Sequence, residues 1–260
     1  MLLAKNITYK IGNKTLLDNV SVSFEPGKLN LIIGPNGAGK STLIKVLCNQ
    51  AHPETGTVSF GNKNIKDYTA QKLGQIRSVL SQNIELTFPL NVWEVVMMGR
   101  YPHFSVKPTE LDERACEEAM RFFDVLDLVD RNYVTLSGGE KQRVHFARVL
   151  AQIWYPVEDS CRYLIMDEPL TFLDVYYQFQ FMHKIVELLH TNDIVVIGVV
   201  HDLNLTAKFA DKIILINQGK ILAEGNKKEV FTKANIKMAY RLNPIIVTDE
   251  EKDSLYLFFD

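Results

Sequence analysis

Gly34-Pro35-Asn36-Gly37-Ala38-Gly39-Lys40-Ser41-Thr42 follows the pattern G-x-x-x-x-G-K-S. Glycines at these positions let the backbone curl so that successive N–H groups turn inward, a nest for phosphate oxygens. Lys40 can reach the β- and γ-phosphates of a nucleoside triphosphate, and the Ser41 hydroxyl suits Mg²⁺. This is P-loop chemistry, and it requires a strand before the loop and a helix after it. The apolar run Leu29–Ile33 supplies a buried strand. Ser41 to Leu47 can open a helix, whose N-terminus adds positive dipole charge.

Other chemistry-bearing residues stand at the ends of apolar runs. Tyr163–Met166 reads as a buried strand and ends in Asp167-Glu168-Pro169. Beside a P-loop, one such carboxylate can hold Mg²⁺ and the next can orient or deprotonate the attacking water. The strand Ile194–Val200 ends at His201, and Ile76–Leu80 is followed by Ser81-Gln82. Both residues fall on the carboxyl edge where open α/β sheets bind ligands, although a solvated loop glutamine fits Gln82 equally well. Tyr9 lies upstream of the P-loop, where its ring can stack on a base; on spacing alone an ordinary half-buried strand tyrosine accounts for it better. In Leu136-Ser137-Gly138-Gly139-Glu140, Ser137 can cap a helix and Glu140 completes a capping box. Capping leaves the two glycines unexplained, because glycine in a first turn costs stability. Their open N–H groups can receive an anion.

The elements that must position these residues can be read along the chain. Leu3–Ile11 and Leu17–Phe24 alternate as two strands at a sheet edge, and Thr57–Phe60 reads as another strand. From Leu86 to about Ser160 helical periodicity takes over, in Val92–Gly99, Glu110–Phe123 and Gly138–Trp154. Val175–His190 is a further helix, and Lys212–Asn217 with Lys220–Ala223 forms a hairpin around Gln218-Gly219. Lys233–Tyr240 is a short helix, and Ile245–Val247 can pair with Leu255–Phe259. The pattern predicts an α/β core with a helical insertion: core about 1–85 and 161–230, insert about 86–160, extension about 231–260.

The 260 residues carry 47% hydrophobic side chains, enough for a sizeable core, and a formal net charge of −2. That charge gives no electrostatic reason to expect nucleic acid. No apolar run approaches the roughly 20 residues that span a bilayer, and Met1–Asn6 turns polar too early for a signal peptide. Cys48, Cys116 and Cys161 lie far apart, and the five histidines other than His201 show no metal-ligand spacing.

Taken together, the P-loop, Leu136–Glu140 and Asp167-Glu168-Pro169 resemble the ATP-binding subunit of an ABC transporter over nearly the whole chain. The resemblance implies a P-loop NTPase core with a helical subdomain and a small antiparallel β subdomain, ATP and Mg²⁺ as ligands, and ATP hydrolysis. It identifies Tyr9 with the adenine-stacking aromatic, Gln82 with the Q-loop glutamine, His201 with the switch histidine and Asp174 with the D-loop aspartate. It makes Glu168 the general base and gives Ser41, Gln82 and Asp167 to the metal. It further implies a head-to-tail homodimer in which Ser137, Gly138 and Gly139 of one copy close on nucleotide held by the other. Two positions depart from the family: Leu170-Thr171-Phe172 stands where Thr-Ser-Ala is usual, and Glu140 where glutamine is frequent.

Phe88 to His103 resembles the iron-chelate, vitamin B12 and haem importers; on residue pattern alone, Phe88–Trp93 suits a partner surface and internal packing equally. Ala147–Trp154, with the extra segment before Tyr163, resembles the haem importer ATPase most. The resemblance implies membrane-spanning permease subunits contacting Phe88–His103, no nucleic acid, and a peripheral place on the cytoplasmic face of the cell membrane. Siderophore or cobalamin import, or a soluble non-transport ABC ATPase, remain as alternatives.

Overall fold

The computed structural model describes residues 1–81, 86, 89–157, 160–171, 173–190 and 193–259. The chain opens with β1 (Leu2–Ile11), β2 (Lys14–Phe24), β3 (Leu29–Ile33), α1 (Lys40–Leu47), β4 (Thr55–Phe60) and β5 (Lys63–Asn64). Then come α2 (Ala70–Ile76), β6 (Arg77–Leu80), α3 (Val92–Met97), a 3-10 stretch over Met98–His103, α4 (Glu110–Phe122), α5 (Gly138–Gln152), β7 (Arg162–Asp167) and α6 (Val175–Leu189). The return consists of β8 (Ile194–Val199), α7 (Leu203–Phe209), β9 (Lys212–Asn217), β10 (Lys220–Gly225), α8 (Lys227–Val230), α9 (Lys233–Tyr240), β11 (Pro244–Asp249) and β12 (Ser254–Phe259). These elements gather into two compact units, Met1–Asp67 with Val195–Asp260, and Tyr68–Ile194.

In the first unit β3 lies between β8 and β9, parallel to both. Every residue of β3 is buried, which is why the run is apolar without alternation. Asn30 is the one polar member; its Nδ2 donates to the Lys28 and Val196 carbonyls. β10 folds back antiparallel on β9 through Gln218 and Gly219, both at positive φ, as a type I′ turn demands. A separate antiparallel sheet runs β2-β1-β4-β5. β1 is therefore paired on both sides rather than sitting at an edge. α9 and β12 pack Ile236, Ala239, Leu255 and Leu257 in one cluster with Ile33, the residue before the P-loop.

In the second unit β6 and β7 are parallel, with Leu80 abreast of Met166. Their carboxyl ends thus fall together, at Ser81 and Asp167. The helices of this unit begin at side-chain caps: Asn91 with Glu94, Thr109 with Asp112, and Ser137 with Glu140 are capping boxes. Phe146 of α5 and Phe181 of α6 stack with ring centroids 4.0 Å apart. Arg100 and Asp112, each 2% exposed, form a buried ion pair at 2.9 Å. The parallel strands, helical insertion and antiparallel sheet are the expected fold class.

Differences in the elements have local causes. α2, α7 and α8 are short, and no apolar stripe marks them in the sequence. Ile76 closes α2 rather than opening β6. α5 stops at Gln152 because Arg100 and His103 occupy its last carbonyls.

Candidate nucleotide-binding and catalytic site

The first unit builds the cradle. β3 delivers Gly34 at φ +150, where an added Cβ would lie 2.1 Å from the Ile216 carbonyl oxygen of β9. No side chain fits there, whatever the ligand. Gly39 is at φ +109, and a Cβ on it would meet the Leu16 carbonyl oxygen at 2.8 Å. The loop is pinned from outside as well: the Gly219 N–H donates to the Ala38 carbonyl at 2.8 Å, and the Asp18 N–H to the Gly219 carbonyl at 2.9 Å. α1 then starts at Gly39 with no side chain capping it. An uncapped helix N-terminus of this kind suits an anion.

Lys40 is 5% exposed, and its Nζ donates to the Gly34 and Pro35 carbonyls at 2.8 and 3.0 Å. The ammonium is thus folded back over the loop it belongs to. Pro35, Asn36, Gly37 and Ala38 form the rim, with Asn36 and Gly37 exposed. Ser41 and Thr42 are half-buried in the first turn of α1. β8 runs abreast of β3, Val199 beside Ile32, and the Val200 N–H donates to the Ile32 carbonyl. His201 is therefore exposed on the edge from which the P-loop rises. Tyr9 is half-buried on β1 and pairs with Leu17, whose Cδ2 would lie 3.1 Å from a Cβ on Gly39. The tyrosine sits one strand away from the loop.

The second unit carries the carboxylates. Asp167 ends β7, and Glu168 follows in the left-handed region at φ 54. A non-glycine residue with positive φ outside a turn favouring it is strained. Its carbonyl is held by the Thr171 hydroxyl at 3.1 Å, and the Pro169 carbonyl accepts from Gln142 Nε2 at 2.9 Å. Leu170 is buried, with its carbonyl accepting from Gln178 Nε2. Asp174 caps α6 by accepting from the Tyr177 N–H at 3.0 Å. Gln82, Phe88 and Phe172 lie outside the described residues.

At the start of α5 the Ser137 hydroxyl and N–H both donate to Glu140 Oε2, at 2.8 and 2.7 Å, and Arg131 reaches Oε1 at 3.0 Å. The two Ser137 bonds, followed by Arg131, hold the Glu140 carboxyl below its usual range. A Cβ on Gly138 or Gly139 would meet nothing within 4 Å. Among the described residues nothing requires glycine there, and the backbone is left bare.

The ABC transporter family model matches residues 17–171. The Hemin import ATP-binding protein HmuV of Escherichia coli O157:H7 is 36% identical over 260 residues, covering 100% of both chains. The protein of the same name from Gloeobacter violaceus is 42% identical over 247 residues, 95% of this chain and 90% of that one. The chain belongs to the ABC transporter family. It is an ATP-binding, ATP-hydrolysing subunit. A bacterial ABC transporter cassette solved as a dimer superposes with a TM-score of 0.73 at 26% identity, over 87% of this chain and 98% of the cassette.

The first unit thus brings Tyr9, Gly34–Thr42 and His201 to one edge, and the second carries Ser137–Gly139, Asp167, Glu168 and Asp174. One neighbour of the P-loop escaped sequence reasoning. The hydroxyl of Tyr240, at the end of α9, lies close enough to the Gly34 backbone for that backbone to favour its ionised form. Burial pushes that phenol up to about 12, so it stays neutral. No sequence signal links a tyrosine 206 residues downstream (240 minus 34) to the first P-loop glycine.

Proposed function

We propose that this chain powers an importer for haem, working as a homodimer beneath a membrane permease. The observation that carries the cargo is likeness over the full length to proteins named for hemin import. No helix among the described residues is long and apolar enough to cross a membrane, which suits a subunit that attaches to membrane-spanning partners.

In this reading the N–H groups of Gly34–Thr42 hold the phosphates, and Lys40 leaves its two carbonyls to reach the β- and γ-oxygens. The Ser41 hydroxyl and the Asp167 carboxylate are hard oxygen donors suited to Mg²⁺, with Gln82 as a third. Among the described residues no group of three or more His, Cys, Asp or Glu could hold a metal, in keeping with an ion bound largely by phosphate and water. The ion neutralises charge on the phosphates when bound. Glu168 takes the proton from the attacking water, His201 contacts the γ-phosphate, and Tyr9 stacks on adenine. Ser137, Gly138 and Gly139 of one copy meet the nucleotide held by the other, with Asp174 in the same interface; a dimeric cassette among the relatives supports this arrangement.

The test is growth. A strain lacking this chain should fail on haem as sole iron source while still using ferric siderophores and needing no cobalamin. Lys40→Ala at normal expression should reproduce that defect. Normal haem growth with lost siderophore or cobalamin use would transfer the cargo. No transport defect at all would favour a non-transport ABC ATPase.

A further inference from the structure

The 3-10 stretch Met98–His103 is bound to its neighbours without slack. A Cβ on Gly99 would lie 2.1 Å from the Arg148 carbonyl oxygen of α5, and a Cβ on Gly74 of α2 would lie 2.9 Å from Pro102. Backbone presses on backbone at the first contact, and on a rigid ring at the second. The last turn of a helix leaves carbonyls without intrahelical partners. At α5, Arg100 Nη1 takes the Ala151 carbonyl at 2.8 Å, and His103 Nε2 takes the Gln152 carbonyl at 2.7 Å. Arg100 Nε is meanwhile fixed to Asp112 Oδ1.

The Gln152 side chain points the other way. Its Nε2 donates to the Gly74 carbonyl at 2.7 Å and to the Arg77 carbonyl at 2.9 Å. Both amide hydrogens are used. Gly74 belongs to α2 and Arg77 opens β6, which runs to Leu80, two positions before Gln82. The Pro102 carbonyl closes the circuit by accepting from Gln75 Nε2 at 3.0 Å and Gln71 Nε2 at 3.3 Å. One residue thus has its main chain bonded to the Met98–His103 segment and its side chain bonded to the strand that leads to Gln82. That residue also ends the helix whose other end is Ser137. The outer side of the segment carries Tyr101, 59% exposed, edge-on to Phe104 at 5.8 Å.

We propose that Gln152 is a positioning residue that transmits displacement of the Met98–His103 segment to both α5 and β6, so coupling a membrane partner to ATP turnover. This rests on the reading that a permease contacts Phe88–His103. Gln152→Met keeps the volume and removes both donors.

The experiment compares the isolated chain with the chain purified together with its permease in lipid vesicles, measuring melting temperature, ATPase rate and haem uptake. For Gln152→Met we expect an unchanged isolated ATPase, and permease stimulation and uptake per ATP lowered roughly 2–30-fold, the range for a side chain that carries coupling without touching ligand. Gln71→Ala with Gln75→Ala, outside the core, should give the same selective loss, smaller in size. Full stimulation and uptake in Gln152→Met would overturn the proposal. So would parallel loss in the isolated chain and the complex, which would mark Gln152 as support only, unless the Gln71/Gln75 variant retains the selective loss. A wild-type ATPase that no permease accompanies or stimulates would instead sink the permease reading, and this inference with it.

Discussion

Glu168 is held where folding prefers glycine, and that makes stability and chemistry separable. Its φ of 54 places the backbone in the left-handed region, which costs an L-residue roughly 1–2 kcal/mol. Glycine would remove that strain but return about 0.5–1 kcal/mol through its greater unfolded-state entropy. The net expectation for Glu168→Gly against Glu168→Gln is a gain of about 0.5–1 kcal/mol. For a chain of this size that is a melting temperature higher by about 1–4 °C. The Thr171 bond to the residue 168 carbonyl is common to both variants, so it does not enter the difference. Both variants remove the proposed base and should lose about 10²–10⁴-fold in ATPase rate. Glu168→Asn, a residue more tolerant of this region, should melt between the two. The assays are thermal unfolding followed by circular dichroism and phosphate release under saturating ATP. A glycine variant melting below the glutamine variant would refute the strain argument. A variant hydrolysing ATP near the wild-type rate would remove Glu168 from the chemistry.

Ser137→Arg should abolish turnover yet leave nucleotide binding to single chains intact; mixing it with Lys40→Ala should restore one composite site, read as partial ATPase recovery. Breaking the buried Arg100–Asp112 pair with Asp112→Asn should cost about 3–5 kcal/mol, measured by urea unfolding. Burial pushes the Asp112 carboxyl up, but the Thr109 N–H and hydroxyl together with Arg100 outweigh it and hold the folded value below the ordinary one. That contribution is complete above the unfolded value of about 3.9 and fades as pH falls through the lower folded value. Acid unfolding below about pH 4 should therefore be shallower in Asp112→Asn. Burial pushes the Cys116 thiol up to about 12, so iodoacetamide at pH 8 should leave it unmodified until the chain unfolds, as peptide mapping would show.

The parts of the site legible in the sequence are those written into one short run. The four apolar residues of β3, the glycines after them and the acids closing β7 each announce themselves within a few positions. Ser137 and Glu140 fulfil the capping box that their spacing implies. What could not be read depends on distant backbone. Gly39 must be glycine because the Leu16 carbonyl lies where its side chain would go, and Gly74 is crowded by Pro102. α2 was hidden because its glutamines, lysine and glycine make no apolar stripe, and the bonds of Gln71 and Gln75 to the Pro102 carbonyl leave no local signal. The left-handed turn at Glu168 has no composition of its own: only the strand end and the loop after it impose it.

The division of the chain into a contiguous unit and an interrupted one has a consequence for biosynthesis. Residues 68–194 leave the ribosome as an unbroken stretch. The P-loop strand does not. Ile33 is packed by Leu215, Ile236 and Leu257, and the last of these lies three residues from the end of the sequence given. At about 5–20 residues per second, the 193 residues after Asp67 (260 minus 67) take roughly 10–40 s to emerge. For the first 132 of those residues (199 minus 67), roughly 7–26 s, β1 to β4 are complete but β3 has neither β8 nor β9 beside it. The nascent nucleotide loop is thus formed in sequence long before it is formed in space.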